Sequence, residues 1–262
     1  MSIKHVPNEA NLSQTVLKAL DLLECVAESD RPLSAAEAAK RCKVSRPTAY
    51  RLLSTLVARG YAAHVEGSAY RLGTQALSLS KKVLDSIDLP ELAKPHMRQL
   101  SDVANETVHL SILDKTEILY IAKVESSHSV RMTSTIGTRN QLHCTAMGKA
   151  ILAFLPATDQ TKLVEQLKLT GCTTTAVTDR AALVEELARV RAQKFAVDDE
   201  ESEEGVRCVG APIFDHTGRV FAAISVSGPA YRLSVSRLIA LSSLVIDTAK
   251  AISGRLGYVS EN

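Results

Sequence analysis

The chain has 262 residues, 45% of them hydrophobic and 23% charged, with a formal net charge of +2. That balance is ordinary for a soluble globular protein, and the length suits two modest domains. No run approaches the ~18 apolar residues of a membrane span, and Met1 to Gln14 lacks the apolar core of a signal peptide. Charge is unevenly placed: residues 1–88 hold 12 Lys/Arg against 9 Asp/Glu, residues 34–73 hold 7 against 2, and residues 89–262 hold 19 against 20. A basic first part beside a neutral remainder fits nucleic-acid binding by the first part alone.

In chain order, a polar arm over 1–12 gives way to a helical pattern from Ser13, with Val16, Leu17, Leu20, Leu23 and Ala27 on one face. Asp30-Arg31-Pro32 breaks it, and Ser34 opens a second helix with the Ser34-x-x-Glu37 spacing of a capping box. Cys42-Lys43-Val44 is a short turn. Ser45 then caps a third helix, with Pro47 in its first turn and Gly60 as its stop. Ala49, Leu52, Leu53, Leu56 and Val57 form the buried stripe of that helix. Tyr61 to Val65 and Ala69 to Leu72 read as two strands around Glu66-Gly67-Ser68, a hairpin wing closed by Gly73. A linking helix follows over 74–87, and Leu89-Pro90 marks a boundary.

Beyond it the pattern mixes helices (Leu92–Val103, Ala146–Leu155, 158–168, 180–193, Arg237–Leu256) with strands (Thr107–Leu113, Ile118–Val124, Val206–Phe214, Val220–Ser227). Hairpins with helices between them predict an α+β domain on one antiparallel sheet.

Helix, helix, tight turn, helix, hairpin is the order of a winged helix-turn-helix. Opposite the buried stripe of the third helix lie Pro47, Arg51 and Ser54, flanked by Thr48, Tyr50 and Thr55, with Ser45 and Arg46 at its start. The first turns of such helices touch bases. Arg pairs bidentately with guanine, and Ser, Thr and Tyr reach phosphates or base edges. Lys43, Arg59 and Arg71 add candidate phosphate contacts. The plain alternative is a solvated polar helix face.

The stretch from Leu33 to Ser54 resembles the helix-turn-helix of the IclR family of regulators. Three further stretches strengthen the likeness: Ile136-Gly137 followed by Leu142-His-Cys-Thr-Ala-Met-Gly-Lys-Ala-Ile-Leu-Ala153, Asp198-Asp-Glu-Glu-Ser-Glu-Glu-Gly-Val-Arg-Cys208, and Ala222-Ala-Ile-Ser-Val-Ser-Gly228. Together they cover about residues 12 to 258. Glu106 to Leu110, Glu203 to Cys208 and Gly257-Tyr258 look closest to the 2-keto-3-deoxygluconate repressors.

The resemblance implies a winged helix-turn-helix over 12–73, a linker helix over 74–88 and a GAF-like antiparallel-sheet effector domain over 89–260. It implies a homodimer, or a tetramer built as a dimer of dimers, on a palindromic operator in double-stranded DNA; a cytoplasmic location is expected from the scattered cysteines. The protein would be a repressor or activator of a catabolic operon, answering to a small organic acid, with a keto-deoxy sugar acid foremost and an aromatic acid as alternative. No cofactor is implied. The family's effector site, carried over residue by residue, falls on Ala146, Met147, Asp198, Cys208, Ser225 and Ser227.

Local patterns fit that placement. The Ala146-Met147-Gly148 turn offers N–H groups at a helix start, a cradle for an anion. Ser225 and Ser227 share a strand face, which Phe221 and Ala223 continue. Asn140 and Gln141 replace less polar residues of some relatives and predict a more polar rim. Each residue has a plainer role open to it: the serines bonding backbone, Cys208 as a small buried hydrophobe, and Asp198 as one acid in a solvated acidic run.

Other classes are weaker. The five cysteines (25, 42, 144, 172 and 208) are scattered, odd in number and lack a C-x-x-C, so reduced thiols are expected. A thiol enzyme built on His143, Cys144 and Cys208 lacks an oriented base, because side chains at i and i+1 diverge. His143, Cys144 and Asp198 lack metal-ligand spacing, and no Gly-rich nucleotide loop is present. Neither catalytic nor metal residues are predicted. An architectural DNA-binding protein with an inert second domain stays open.

Overall fold

The computed structural model describes residues 12–65, 68–79, 88–128 and 134–259. The chain divides into two compact units, Met1–Ile87 and Asp88–Asn262.

The first unit runs α1 (Gln14–Ala27), β1 (Leu33–Ser34), α2 (Ala35–Arg41), α3 (Arg46–Ala58), β2 (Ala62–Val65) and β3 (Ala69–Leu72). The expected capping box is present: the Ser34 hydroxyl accepts from the Glu37 amide at 3.2 Å, and Glu37 accepts from the Ser34 amide at 2.9 Å. That backbone bond, with Arg31 and the Ser34 hydroxyl, holds the Glu37 carboxyl down at about 2. Ser34→Ala is expected to cost about 1 kcal/mol, seen as a lower urea midpoint with an unchanged slope; Ser34→Thr should restore most of it.

Gly60 ends α3 at φ +74°, where a side chain would be strained, and the Tyr61 amide reaches back to the Leu56 carbonyl at 2.9 Å. The wing is three-stranded in the order β1-β3-β2, because Leu33 and Ser34 pair with Tyr70 and Ala69; β1 is too short to show in the pattern. Residues 66 and 67 of the wing turn lie outside the described residues.

The buried core joins Leu22, Val26, Ala38, Ala39, Ala49, Leu52, Leu53 and Tyr70. This corrects the stripe expected on α1. Val16 and Leu20 are exposed, and the inward face runs through Ala19, Leu22 and Val26 instead. The helix carries apolar residues on two sides, and α3 packs against the second. Of the expected linking helix, residues 75–79 are helical and residues 80–87 lie outside the described residues.

The second unit opens on α4 (Leu89–Ala104), so Leu89-Pro90 lies within a helical first turn, capped by Asp88. It continues β4 (Thr107–Asp114), β5 (Glu117–Val124), β6 (Arg139–Gln141), α5 (Ala146–Phe154), α6 (Ala157–Gln166), α7 (Arg180–Gln193), β7 (Ala196–Asp199), β8 (Val206–Phe214), β9 (Val220–Pro229) and α8 (Val235–Arg255). The six strands form one antiparallel sheet in the order β6-β5-β4-β9-β8-β7. This is the GAF-like α+β architecture expected.

Strand alternation sends Ala223 into a core with Met147, Ala150, Ile151, Leu183, Leu187 and Val190 of α5 and α7. The alternate residues Ala222, Ile224 and Val226 are fully buried on the opposite face, and α4 and α8 pack on the same sheet.

Candidate functional site

In the first unit, α3 divides the predicted DNA-facing residues into two groups. Ser45 and Thr48 are tied to each other: the Ser45 hydroxyl accepts from the Thr48 amide at 3.3 Å and lies 2.8 Å from its hydroxyl. They hold the helix start in shape. Ser54 hydrogen-bonds the Tyr70 phenol, which burial pushes above its ordinary pKa, and Thr55 donates to the Arg51 carbonyl at 2.9 Å. Arg46, Pro47, Tyr50 and Arg51 stand exposed, Tyr50 at 62%. Two guanidiniums and a phenol on the first two turns of a capped helix form a polar probe of groove dimensions. Lys43, Arg59 and Arg71 are exposed as well.

In the second unit, all six predicted effector residues line one cavity of about 230 Å³. One wall is the start of α5. Thr145 caps the helix, its hydroxyl accepting from the Gly148 amide at 3.1 Å. That removes Gly148 from the expected cradle. The amides of Ala146 and Met147 are buried at the helix N-terminus, and among the described residues no protein group accepts from them. Gly210 of β8 allows this approach of helix to sheet: a Cβ there would lie 3.1 Å from the Ala146 carbonyl carbon and 3.2 Å from the Met147 nitrogen.

The opposite wall is a polar row across four strands. Asp198, Cys208 and Ser227 are register partners in turn from β7 to β9, with His109 of β4 beside them, and Thr107 of β4 extends the row beyond the cavity lining. The Cys208 thiol lies between its register partners Asp198 and Ser227, and burial followed by the Asp198 charge pushes it well up. Ser225 and Ser227 lie 3.4 Å apart, oxygen to oxygen.

Asp198 departs from the plain reading of its acidic run. It is fully buried, while Glu203 and Glu204 are exposed. Its carboxylate accepts from the amides of Glu201 and Ser202 at 2.8 and 3.2 Å and from the Ser202 hydroxyl at 2.5 Å. Burial still pushes its pKa up against those bonds. Ala223 continues the serine face as expected, but it sits under α5 in the core and Phe221 is 45% exposed beyond it, so neither lines the cavity.

Several lining residues went unpredicted. His109 of β4 pairs with Ser225, 116 positions later in the chain, and its ring nitrogens lie 3.3 Å from the Ser227 hydroxyl and 2.6 Å from the Ser134 hydroxyl. Burial, then the Lys123 charge, drives its pKa to about 3, so the imidazole is neutral. Tyr120 packs on it with ring centroids 5.1 Å apart and accepts from Asn140 at 3.1 Å. Burial raises the Tyr120 phenol. Ser134 and Ser202 complete the rim. Asn140 makes that rim polar, as its departure from some relatives suggested.

Behind the acidic strand, Lys149 of α5 is fully buried and donates to Glu186 and Glu201, each at 2.6 Å. Burial pushes Glu201 up to about 7, opposed by Lys149. Among the described residues no His/Cys/Asp/Glu group is arranged to hold a metal ion, and no helix is long and apolar enough to cross a membrane.

Family models match both units: the IclR helix-turn-helix domain over residues 15–66, and the bacterial transcriptional regulator IclR C-terminal domain over residues 81–254. The chain belongs to the IclR family. This IclR-family chain is similar to the HTH-type transcriptional regulator KdgR of Escherichia coli (strain K12), 36% identical over 245 residues that span 93% of each chain. It is similar also to the HTH-type transcriptional regulator BhcR of Paracoccus denitrificans (strain Pd 1222), 38% identical over 237 residues, 90% of this chain and 85% of that one. Among solved structures, the Agobacterium tumefaciens repressor BlcR matches with a TM-score of 0.81 at 30% identity, covering 93% of this chain and 97% of that one. These IclR-family relatives are regulators of transcription and not enzymes. The protein is accordingly a DNA-binding, ligand-responsive transcriptional regulator.

Proposed function

We propose that this regulator represses a catabolic operon and is controlled by a small, hydroxyl-rich organic acid held in the α5–sheet cavity, a keto-deoxy sugar acid foremost. The observation that carries this reading is the pair of buried, unpartnered amides of Ala146 and Met147 opening on that cavity. A helix N-terminus with free N–H groups favours an anion. The facing wall offers hydroxyls, a neutral imidazole and a carboxylate, partners for the hydroxyl and keto groups of a sugar acid. At about 230 Å³ the cavity is smaller than the ~300–1,000 Å³ of sites for drug-sized ligands. Its mostly polar lining favours a sugar acid over an aromatic one.

Arg46, Pro47, Tyr50 and Arg51 are the residues assigned to base edges and phosphates, with Ser45, Thr48 and Ser54 shaping the helix that carries them. The exposed Val16 and Leu20 on α1 support a homodimer, or a tetramer of such dimers, on a palindromic operator. Segment 74–88 is the covalent link between the units. Effector occupancy acts through it on the spacing of the two recognition helices, which half-sites fix.

Thermal-shift screening against sugar acids, keto acids and hydroxybenzoates tests the ligand class, since binding to the native state alone raises apparent stability. The strongest shift is expected from a sugar or keto acid; a shift from hydroxybenzoates alone would reverse the ranking. Ser225→Ala with Ser227→Ala should keep DNA binding and raise the effector midpoint by about tenfold, roughly 1.4 kcal/mol for two lost hydrogen bonds. An unchanged midpoint in a mobility-shift assay counts against this cavity.

A further inference from the structure

Cys144 and Cys172 are 28 positions apart in the chain, yet their sulfurs lie 2.8 Å apart. Cys144 is buried immediately before the capping Thr145, and Cys172 is exposed in the segment between α6 and α7. Both line a second cleft of about 230 Å³, with Glu117, Arg139, Asn140 and Ser202, that gives a small oxidant access to them. Burial, then the neighbouring Cys172, pushes the Cys144 thiol up to about 12. Cys172 is exposed and Cys144 buried, so Cys172 is the sulfur that an oxidant from solution reaches first.

The surroundings connect this pair to the two walls of the effector cavity. On one side, Gln141 donates to the Thr170 hydroxyl at 3.4 Å and the His143 ring lies 3.2 Å from the Thr170 carbonyl. On the other, the Thr173 hydroxyl donates to the carbonyls of Glu200 and Glu201 at 2.8 and 3.1 Å. Cys172 thus sits in a strap between the start of α5 and the loop that carries Ser202 and Glu203.

We propose that Cys144 and Cys172 form a redox-sensitive site, converted by a hydroperoxide to a disulfide that fixes the start of α5 against the 200–203 loop. The Cys172 sulfur, as thiolate, attacks the peroxide: an S–O bond forms as the O–O bond breaks, a sulfenic acid results, and the displaced oxygen takes a proton from solvent and leaves as water from hydrogen peroxide or as an alcohol from an organic hydroperoxide. The Cys144 sulfur then attacks the sulfenic sulfur. An S–S bond forms, the S–O bond breaks, and the hydroxyl leaves as water with the Cys144 proton. The two thiols supply both electrons. A thiol reductant reverses the reaction by exchange, so in a reducing compartment the bond is transient. The site stands on the sulfur geometry and does not depend on which effector the cavity takes.

The test uses the full chain, oxidised with hydrogen peroxide, alkylated with iodoacetamide and digested for mass spectrometry. A Cys144–Cys172 linked peptide is expected, lost on dithiothreitol treatment and absent in Cys172→Ser. Amides over 143–149 and 200–203 should exchange about tenfold more slowly in the oxidised protein, with no slowing in oxidised Cys172→Ser. Cys172 driven to sulfinic acid without a link, a link between copies, or a link between the neighbouring Cys25 and Cys42 in its place would overturn the proposal. A correct link with unchanged exchange would overturn the fixing of the walls.

Discussion

Lys149→Met is expected to destabilise the second unit by about 3 kcal/mol at pH 8, and by clearly less near pH 5. Lys149 is fully buried between Glu186 and Glu201, and Asp198 lies close enough to raise Glu201 further. Removing the ammonium that bridges Glu186 and Glu201 leaves these carboxylates without that counter-charge. Wild-type Glu201 sets the sign of the pH dependence. Its folded pKa is about 7, above its ordinary 4.5, so the folded state binds more protons than the unfolded one between those values. Its contribution to stability is full below about pH 4.5 and lost as pH rises through about 7.

Without Lys149 the attraction that lowers Glu201 is gone, and the proton is held more tightly still. Acid therefore repairs the variant by neutralising what the lysine balanced. Urea unfolding at both pH values is the measurement. An equal loss at pH 8 and pH 5, or a loss under about 1 kcal/mol at pH 8, would refute the role given to this cluster.

Arg46→Ala combined with Arg51→Ala should reduce affinity for each operator half-site by roughly 30-fold to 10⁴-fold, on ~1–3 kcal/mol for each well-placed guanidinium. Both side chains are exposed on the first two turns of α3, and among the described residues no hydrogen bond to the protein occupies them. The operator would be one selected in vitro with the wild-type protein. A salt titration separates the roles. If both arginines touch phosphates, the slope of log K against log[salt] becomes shallower by about two for each half-site. If they read base edges, the slope holds and discrimination between operator variants collapses. Wild-type affinity in the double variant would remove α3 from the recognition role. Tyr50→Phe tests the remaining exposed group by the same assay.

The order of the first unit was readable because its signals are local. The capping box at Ser34 and Glu37, the cap at Ser45 and the glycine at 60 each act within a few residues. The buried side of α1 was not readable. Val16 and Leu20 continue a stripe as good as that of Leu22 and Val26, and only the position of α3 decides between them. In the second unit, the strands adjacent in sequence were legible as hairpins, and β6, with three residues, was not.

His109 and Tyr120 were missed for a different reason. Their presence in the cavity depends on β4 pairing with β9, and no periodicity within either strand encodes that register. Asp198 shows the converse. Composition made it one acid of a solvated run, and three hydrogen bonds with a cysteine neighbour hold it buried, as Lys149 does Glu201.

The two free amides at the start of α5 belong to the main chain, so no substitution of Ala146 or Met147 short of proline deletes them. The groups facing them are side chains of Asn140, Asp198, Ser225 and Ser227, each open to point mutation. On the proposed reading, demand for an acid and choice among acids are inherited separately. Drift on the sheet side can move a regulator of this build from one carboxylate metabolite to another, while the anchoring amides keep every descendant tuned to anions.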